Sequence, residues 1–244
     1  MGDDQRVPTP AGGKPAAPSS SSASEVAAFL KTVAARQPSS VVAGGGRLVF
    51  ALDATMSRQP TWDTALVLQS AMFEEATAAG GLSVQLVYFR DLDECRASGW
   101  VTDGAHLSRL MRAIGCRGGR TQLTKVLRHV VNETGRRRVQ ALVYVGDAME
   151  EDLDGLCAVA GELGLLGVPA FLFQEGRDAI AERAYREVAR LTRGAYCRFD
   201  AGAARELGEL LRAVAAYAAG GRAALAALSQ RRNAGARHLL EQLK

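Results

Sequence analysis

The sequence predicts an α/β fold, a three-layer αβα sandwich around a doubly wound, mostly parallel six-stranded sheet with one antiparallel edge strand. Short continuous apolar runs such as Leu48-Val49-Phe50-Ala51-Leu52 recur along the chain. They have the length and composition of strands covered on both faces. Between most of them lie helix-patterned stretches of about 10 to 15 residues, the spacing of parallel βαβ units. The exception is Arg90-Asp91-Leu92-Asp93. It is too short for a crossover helix, so the strands it joins should be antiparallel.

The elements follow in order. Residues 1–24, rich in Pro, Gly, Ala and Ser, form a low-complexity tail that cannot bury enough apolar surface to offset its ordering entropy, and disorder is expected. Residues 25–45 read as a short helix and linker, with Ser24 as N-cap, Val26, Phe29, Leu30 and Val33 on one face, and Pro38 as the stop. The main domain spans 46–217. Its strands are expected at 48–52, 84–89, 95–101 (the antiparallel edge), 139–145, 168–173 and 195–199. Helices are expected at 60–79, where Pro60 suits a first turn, and at 103–114, 121–133, 152–163 and 178–192, with a last one from about 203. Residues 218–244, interrupted by Gly220-Gly221 and carrying Arg222, Arg231, Arg232, Arg237 and Lys244, read as a basic helical tail.

Composition narrows the functional classes. An apolar share of 48% and a charged share of 23% are ordinary for a globular domain. The net charge of +4 comes from 30 basic and 26 acidic residues, with the arginines scattered through most expected helices and not gathered on one face. That distribution argues against specific nucleic-acid binding. Cys95, Cys116, Cys157 and Cys197 lack the paired spacing of a zinc site, so free thiols in a reducing compartment are expected. No run reaches the roughly 18 apolar residues of a membrane span. The first residues lack the charged-then-apolar layout of a secretory signal, and a cytoplasmic protein is expected.

In an open parallel sheet, ligands bind outside the carboxyl ends of the strands, near the switch in strand order. After the first strand comes Asp53-Ala54-Thr55-Met56-Ser57, and after the fourth comes Gly146-Asp147. The loop Gly115-Cys116-Arg117-Gly118-Gly119-Arg120 delivers Thr121 to a helix start. Two carboxylates and three hydroxyls thus converge on one edge, in outline a site for a hard divalent cation. Mg²⁺ takes about six oxygens and keeps several waters. An extended loop would point the oxygens of residues 53, 55 and 57 the same way. Glycines before Thr121 let the backbone approach closely.

The motifs D-A-T-M-S at 53–57, G-G-R-T at 118–121 and V-G-D at 145–147 resemble the metal-ion-dependent adhesion site of von Willebrand A (VWA) and integrin I domains. The resemblance covers residues 46–217 and is nearest to bacterial stand-alone VWA proteins. It implies that Thr55 and Ser57 ligate Mg²⁺ (or Mn²⁺) directly, Thr121 directly or through water, and Asp53 and Asp147 largely through water. Thr55 stands where that pattern has Ser, and Gly146-Asp147-Ala148 replaces its T-D-G. The implied activity is protein recognition without catalysis, a partner Asp or Glu completing the coordination. The partner could belong to the AAA+ ATPases, with which bacterial VWA proteins often work. Trp62, directly after the metal loop, packs its helix on the sheet or lines the partner site. Glu150 opens a helix or steers the partner.

The alternative is a Mg²⁺-dependent phosphatase of haloacid dehalogenase type. Asp53 would be its nucleophile, Thr121 and Lys125 its phosphate ligands, and 146–152 its acidic metal motif. Such enzymes need a second Asp as general acid two residues after the first, and Thr55 cannot serve as one near neutral pH.

Overall fold

A computed structural model of the chain describes residues 46–59, 62, 82–199, 204–230 and 234–243. The expected N-terminal tail, the short helix and linker, and the helix at 60–79 apart from Trp62 lie outside these residues. Strand β1 (Gly46–Asp53) is followed by a 3₁₀ turn (Met56–Arg58). Then come β2 (Leu82–Arg90), β3 (Glu94–Val101), helix α1 (Gly104–Arg112), α2 (Leu123–Arg136), β4 (Ala141–Gly146) and α3 (Leu153–Leu165). The chain continues with β5 (Ala170–Glu175), α4 (Ala179–Thr192), β6 (Ala195–Phe199), α5 (Ala204–Gln230) and α6 (Ala234–Gln242).

One six-stranded sheet runs in the order β3-β2-β1-β4-β5-β6. All its pairings are parallel except β2 with β3. Each strand lies within two residues of its expected bounds. The two-residue period of β1 splits its side chains between two cores. Leu48, Phe50 and Leu52 join α1, α5, α6 and Trp62 on one face. Val49 and Ala51 join α2, α3 and α4 on the other. This double coverage explains why the strands read as unbroken apolar runs.

Two boundaries moved for identifiable reasons. Helix α2 begins at Leu123, not Thr121, and its N-cap Gln122 makes no side-chain cap. Instead the Glu151 carboxylate, from the segment after β4, accepts from Leu123 N (2.5 Å) and Thr124 N (2.9 Å). The larger change is at the C-terminus, where the expected tail at 218–244 is built into the core. Helix α5 runs past residue 217 and bends at Gly220 and Gly221, whose φ is 65° at the second position. Leu225, Ala236, Leu239 and Leu243 are then buried with β1 and β2. Gln242 clamps the backbone of Tyr196, accepting from its N (2.9 Å) and donating to its O (3.1 Å). The glycine pair that reads as a break is a hinge. The basic residues draw attention away from the apolar face formed by Leu225, Leu239 and Leu243.

Close backbone approaches fix the join between α5 and the sheet. A Cβ on Gly46 would lie 2.0 Å from the carbonyl oxygen of Ala218, so α5 crosses the start of β1 in direct backbone contact. Among the described residues, no helix is long and apolar enough to cross a membrane.

Candidate metal centre

The strand order reverses between β1 and β4, and the crevice at their carboxyl ends is the expected ligand position. Asp53 is the last residue of β1, and Asp147 directly follows β4. Asp53 Oδ1 accepts from Thr55 N at 2.8 Å, which turns the chain at once. Thr55 is extended (φ −76°, ψ 165°), and the chain then closes into the 3₁₀ turn, with Arg58 N donating to Thr55 O. The Thr55 and Ser57 hydroxyls come to 3.0 Å of each other. The expected extended loop therefore holds only as far as Thr55. The tight turn, and not strand alternation, brings the two hydroxyls together. Thr55 is buried and Ser57 is exposed, so the pair runs from the sheet edge out to solvent.

The glycine-rich loop is stitched to this edge by backbone bonds. Arg117 N donates to Ala54 O (3.0 Å), and Arg120 N to Asp91 O (3.2 Å). A Cβ on Gly119 would stand 2.3 Å from Asp91 O and 2.5 Å from Asp91 N, so only glycine fits there. Thr121, 5% exposed, is locked reciprocally to Glu150. Its N donates to Glu150 Oε2 (3.2 Å), and its Oγ1 accepts from Glu150 N (2.9 Å). That exchange ties Thr121 to the segment carrying Asp147.

The electrostatics are unusual for a surface edge. Asp53 is fully buried, and burial pushes its carboxyl up to about 6. Hydrogen bonds from Thr55 and the charge of Arg58 oppose the rise, while the nearby Asp147 carboxylate adds to it. Asp53 Oδ2 and Asp147 Oδ1 are buried and meet no hydrogen-bond donor among the described residues. Uncompensated buried acceptors of this kind are costly. Behind them, Tyr185 donates to Ala148 O at 2.6 Å, and the Tyr144 hydroxyl lies 3.3 Å from that of Tyr185. Burial pushes both phenols up, and the Asp53 charge adds to the effect. They therefore stay neutral. A Cβ at Gly146 would meet Tyr144 Oη at 2.4 Å, which explains the glycine before Asp147.

Of the two residues considered for partner contact, Trp62 is a core residue. It is 3% exposed and its Nε1 donates to Ile114 O at 2.9 Å, which is the packing role. Glu150 is exposed at the edge. Lys125 pairs with Asp93 and donates to Gln122 Oε1, so it is committed to the β2–β3 turn.

Several residues at this edge escape a reading of motifs. Glu151 caps α2, and Tyr185 holds the Ala148 carbonyl. Arg58, 1% exposed, forms an ion pair with Glu175 at 2.6 Å. Glu175 ends β5 as Asp53 ends β1, so the rule that singled out the strand ends points to it as well. Among the described residues, no three His, Cys, Asp or Glu side chains form a metal-binding cluster; the edge combines two carboxylates with hydroxyls.

The chain matches no protein-family model and no curated protein. Its fold does match solved structures. An aerotolerance-related membrane protein from Bacteroides fragilis is 17% identical, with a TM-score of 0.52 over 68% of this chain and 98% of that one. The SpRpn10 VWA domain is 10% identical, with a TM-score of 0.54 over 66% and 94%. The vWF domain of the type V pili tip protein Mfa5 from Porphyromonas gingivalis is 9% identical, with a TM-score of 0.55 over 71% and 95%. With its single antiparallel edge strand and helices on both sheet faces, the chain has the fold of a VWA domain.

Proposed function

We propose that this chain is a non-enzymatic protein-interaction module of the bacterial cytoplasm that binds a partner carboxylate through Mg²⁺, with Mn²⁺ as substitute. Asp53, Thr55, Ser57, Thr121 and Asp147 would hold the ion. One observation carries the reading. Asp53 Oδ2 and Asp147 Oδ1 are buried acceptors with no donor among the described residues, beside a pair of adjacent hydroxyls. A divalent cation fits that donor set and would relieve the cost of two buried carboxylate oxygens. Bound there, the ion would supply an electrophilic position for a partner Asp or Glu. A partner of the AAA+ ATPase class is part of the proposal.

The test is calorimetric titration of Mg²⁺ and Mn²⁺ into the chelator-stripped full chain and its Asp53→Ala and Thr121→Ala variants. Both substitutions should weaken uptake while the circular dichroism spectrum stays native. Unchanged titrations in both variants would sink the site assignment. No observation favours the phosphatase alternative: Lys125, its second phosphate ligand, is paired with Asp93.

A further inference from the structure

Among the described residues, the exposed large apolar side chains are those of Met56, Leu92, Leu165 and Ile180. Single exposed apolar residues are ordinary. Their placement here is uneven. Met56 follows β1, Leu92 follows β2 and Ile180 follows β5, so these three lie at the carboxyl ends of the strands, the edge that carries Asp53 and Asp147. Leu165, the last residue of α3, lies at the opposite edge, ahead of β5. Local structure requires neither of the first two. Leu92 occupies the tight β2–β3 turn, where small polar residues are usual, and is 76% exposed. Met56 opens the 3₁₀ turn and is 58% exposed.

Met56 and Leu92 bracket one loop. Thr55 is bridged to Arg117, and Asp91 to Gly119. Residues 117–119 therefore lie against the backbone beside Met56 at one end and beside Leu92 at the other, about 4.8 Å away across each bridge. The loop is bare and basic. Gly118 and Gly119 are exposed, and a Cβ at Gly118 would meet nothing within 4 Å. The fold has room for a side chain at 118, and its absence leaves the main chain open to an incoming segment. Arg117 lies 3.6 Å from Asp91 in an exposed pair, and Lys125 pairs with Asp93. Arg120, exposed and directly before Thr121, makes no side-chain hydrogen bond or ion pair among the described residues. The nearby Glu150 carboxylate is turned to Thr121 N. One positive charge is thus left uncompensated beside two apolar side chains.

We propose that Met56, Leu92 and Arg120 form a docking rim, around the bare floor of Gly118 and Gly119, for an acidic and apolar segment of a partner protein. The segment carries one Asp or Glu for the ion and a second for Arg120, with apolar side chains set against Met56 and Leu92. Charge complementarity selects it: the ion and Arg120 both attract carboxylates and repel a basic segment. The apolar contacts supply the burial that a single metal–carboxylate bond lacks. The rim rests on the metal-binding reading above and names the chemistry of its partner.

Selection of a random peptide library on the immobilised full chain in Mg²⁺ tests the rim. Enriched peptides should combine Asp or Glu with apolar residues. The most enriched peptide, labelled with fluorescein, should bind Arg120→Ser, Leu92→Ser and Gly118→Gln at least about fivefold more weakly than wild type in fluorescence polarisation. Leu92→Ser should take up Mg²⁺ like wild type in calorimetry, which separates lost docking from lost metal. Gly118→Gln should keep a native circular dichroism spectrum, because a Cβ there meets nothing; if it does not fold, the other two variants decide. No enrichment, enriched peptides without an acidic or without an apolar residue, or binding undiminished in any folded variant overturns the rim. Failure of wild type to take up Mg²⁺ or Mn²⁺ overturns the metal-binding reading, and the rim with it. Uptake of the ion without this peptide selectivity overturns the rim alone.

Discussion

Replacing Asp53 with Asn should make the metal-free protein more stable. The carboxyl has an ordinary value near 3.8 and is pushed up to about 6 in the fold. A raised carboxyl means that the native state disfavours the charged form. The penalty is absent below about pH 4, grows between about 4 and 6, and is complete above 6. At about 1.36 kcal/mol per pH unit, that window amounts to about 3 kcal/mol. Asn keeps the oxygen that accepts from Thr55 N and carries no charge. The variant should therefore gain up to about 3 kcal/mol at pH 8. The gain should shrink steadily towards pH 4.5. Urea unfolding of both proteins in chelator, at intervals from pH 4.5 to 8, measures it. A variant no more stable than wild type at pH 8, or a gap that does not change with pH, would refute the reasoning. The same substitution should abolish metal uptake, which is why a stabilising change would be absent from a working site.

The other predictions concern the same edge and its supports. Mg²⁺ affinity should be nearly constant above pH 7 and fall by up to about tenfold per pH unit below 6, as the ion competes with one proton on Asp53; calorimetry across pH reads this. Gly119→Ala forces a methyl against the Asp91 backbone, and should cost about 1–3 kcal/mol in urea unfolding and weaken metal uptake. Glu151→Ala removes the acceptor for Leu123 N and Thr124 N, and should cost about 1–2 kcal/mol by the same measurement. Truncation after residue 217 uncovers the core beneath Leu225, Leu239 and Leu243, so the shortened chain should lose its cooperative thermal transition; a native-like melt would contradict the packing seen for α6.

The sheet was legible because each of its central strands is buried on both faces, which leaves a short unbroken apolar signature such as Leu48–Leu52. The antiparallel edge was legible from chain length alone, since four residues cannot make a crossover. The candidate ligands follow from the rule that this architecture binds at its strand ends, and the structure places Asp53 and Asp147 at two of them. What the sequence hid were interactions between distant segments. Glu151 caps α2 from 28 residues away, which moves the helix start. Among the described residues, those the C-terminal helices bury are small and aliphatic, spaced across a glycine pair, with Tyr217 packed beside them, and the charges around them read as a tail. Trp62 follows the turn after β1, and its burial and its bond to Ile114 O show that it points into the core. No motif singles out Arg58, because a sequence does not reveal which arginine turns inward.

The most direct test of the central claim is anomalous diffraction from crystals of the full chain soaked in Mn²⁺ and measured at the manganese edge. A single strong peak is predicted among the Thr55, Ser57 and Thr121 hydroxyls and the Asp53 and Asp147 carboxylates, lost in Asp53→Ala crystals. No peak at this edge, or a peak that survives the substitution, would contradict the account.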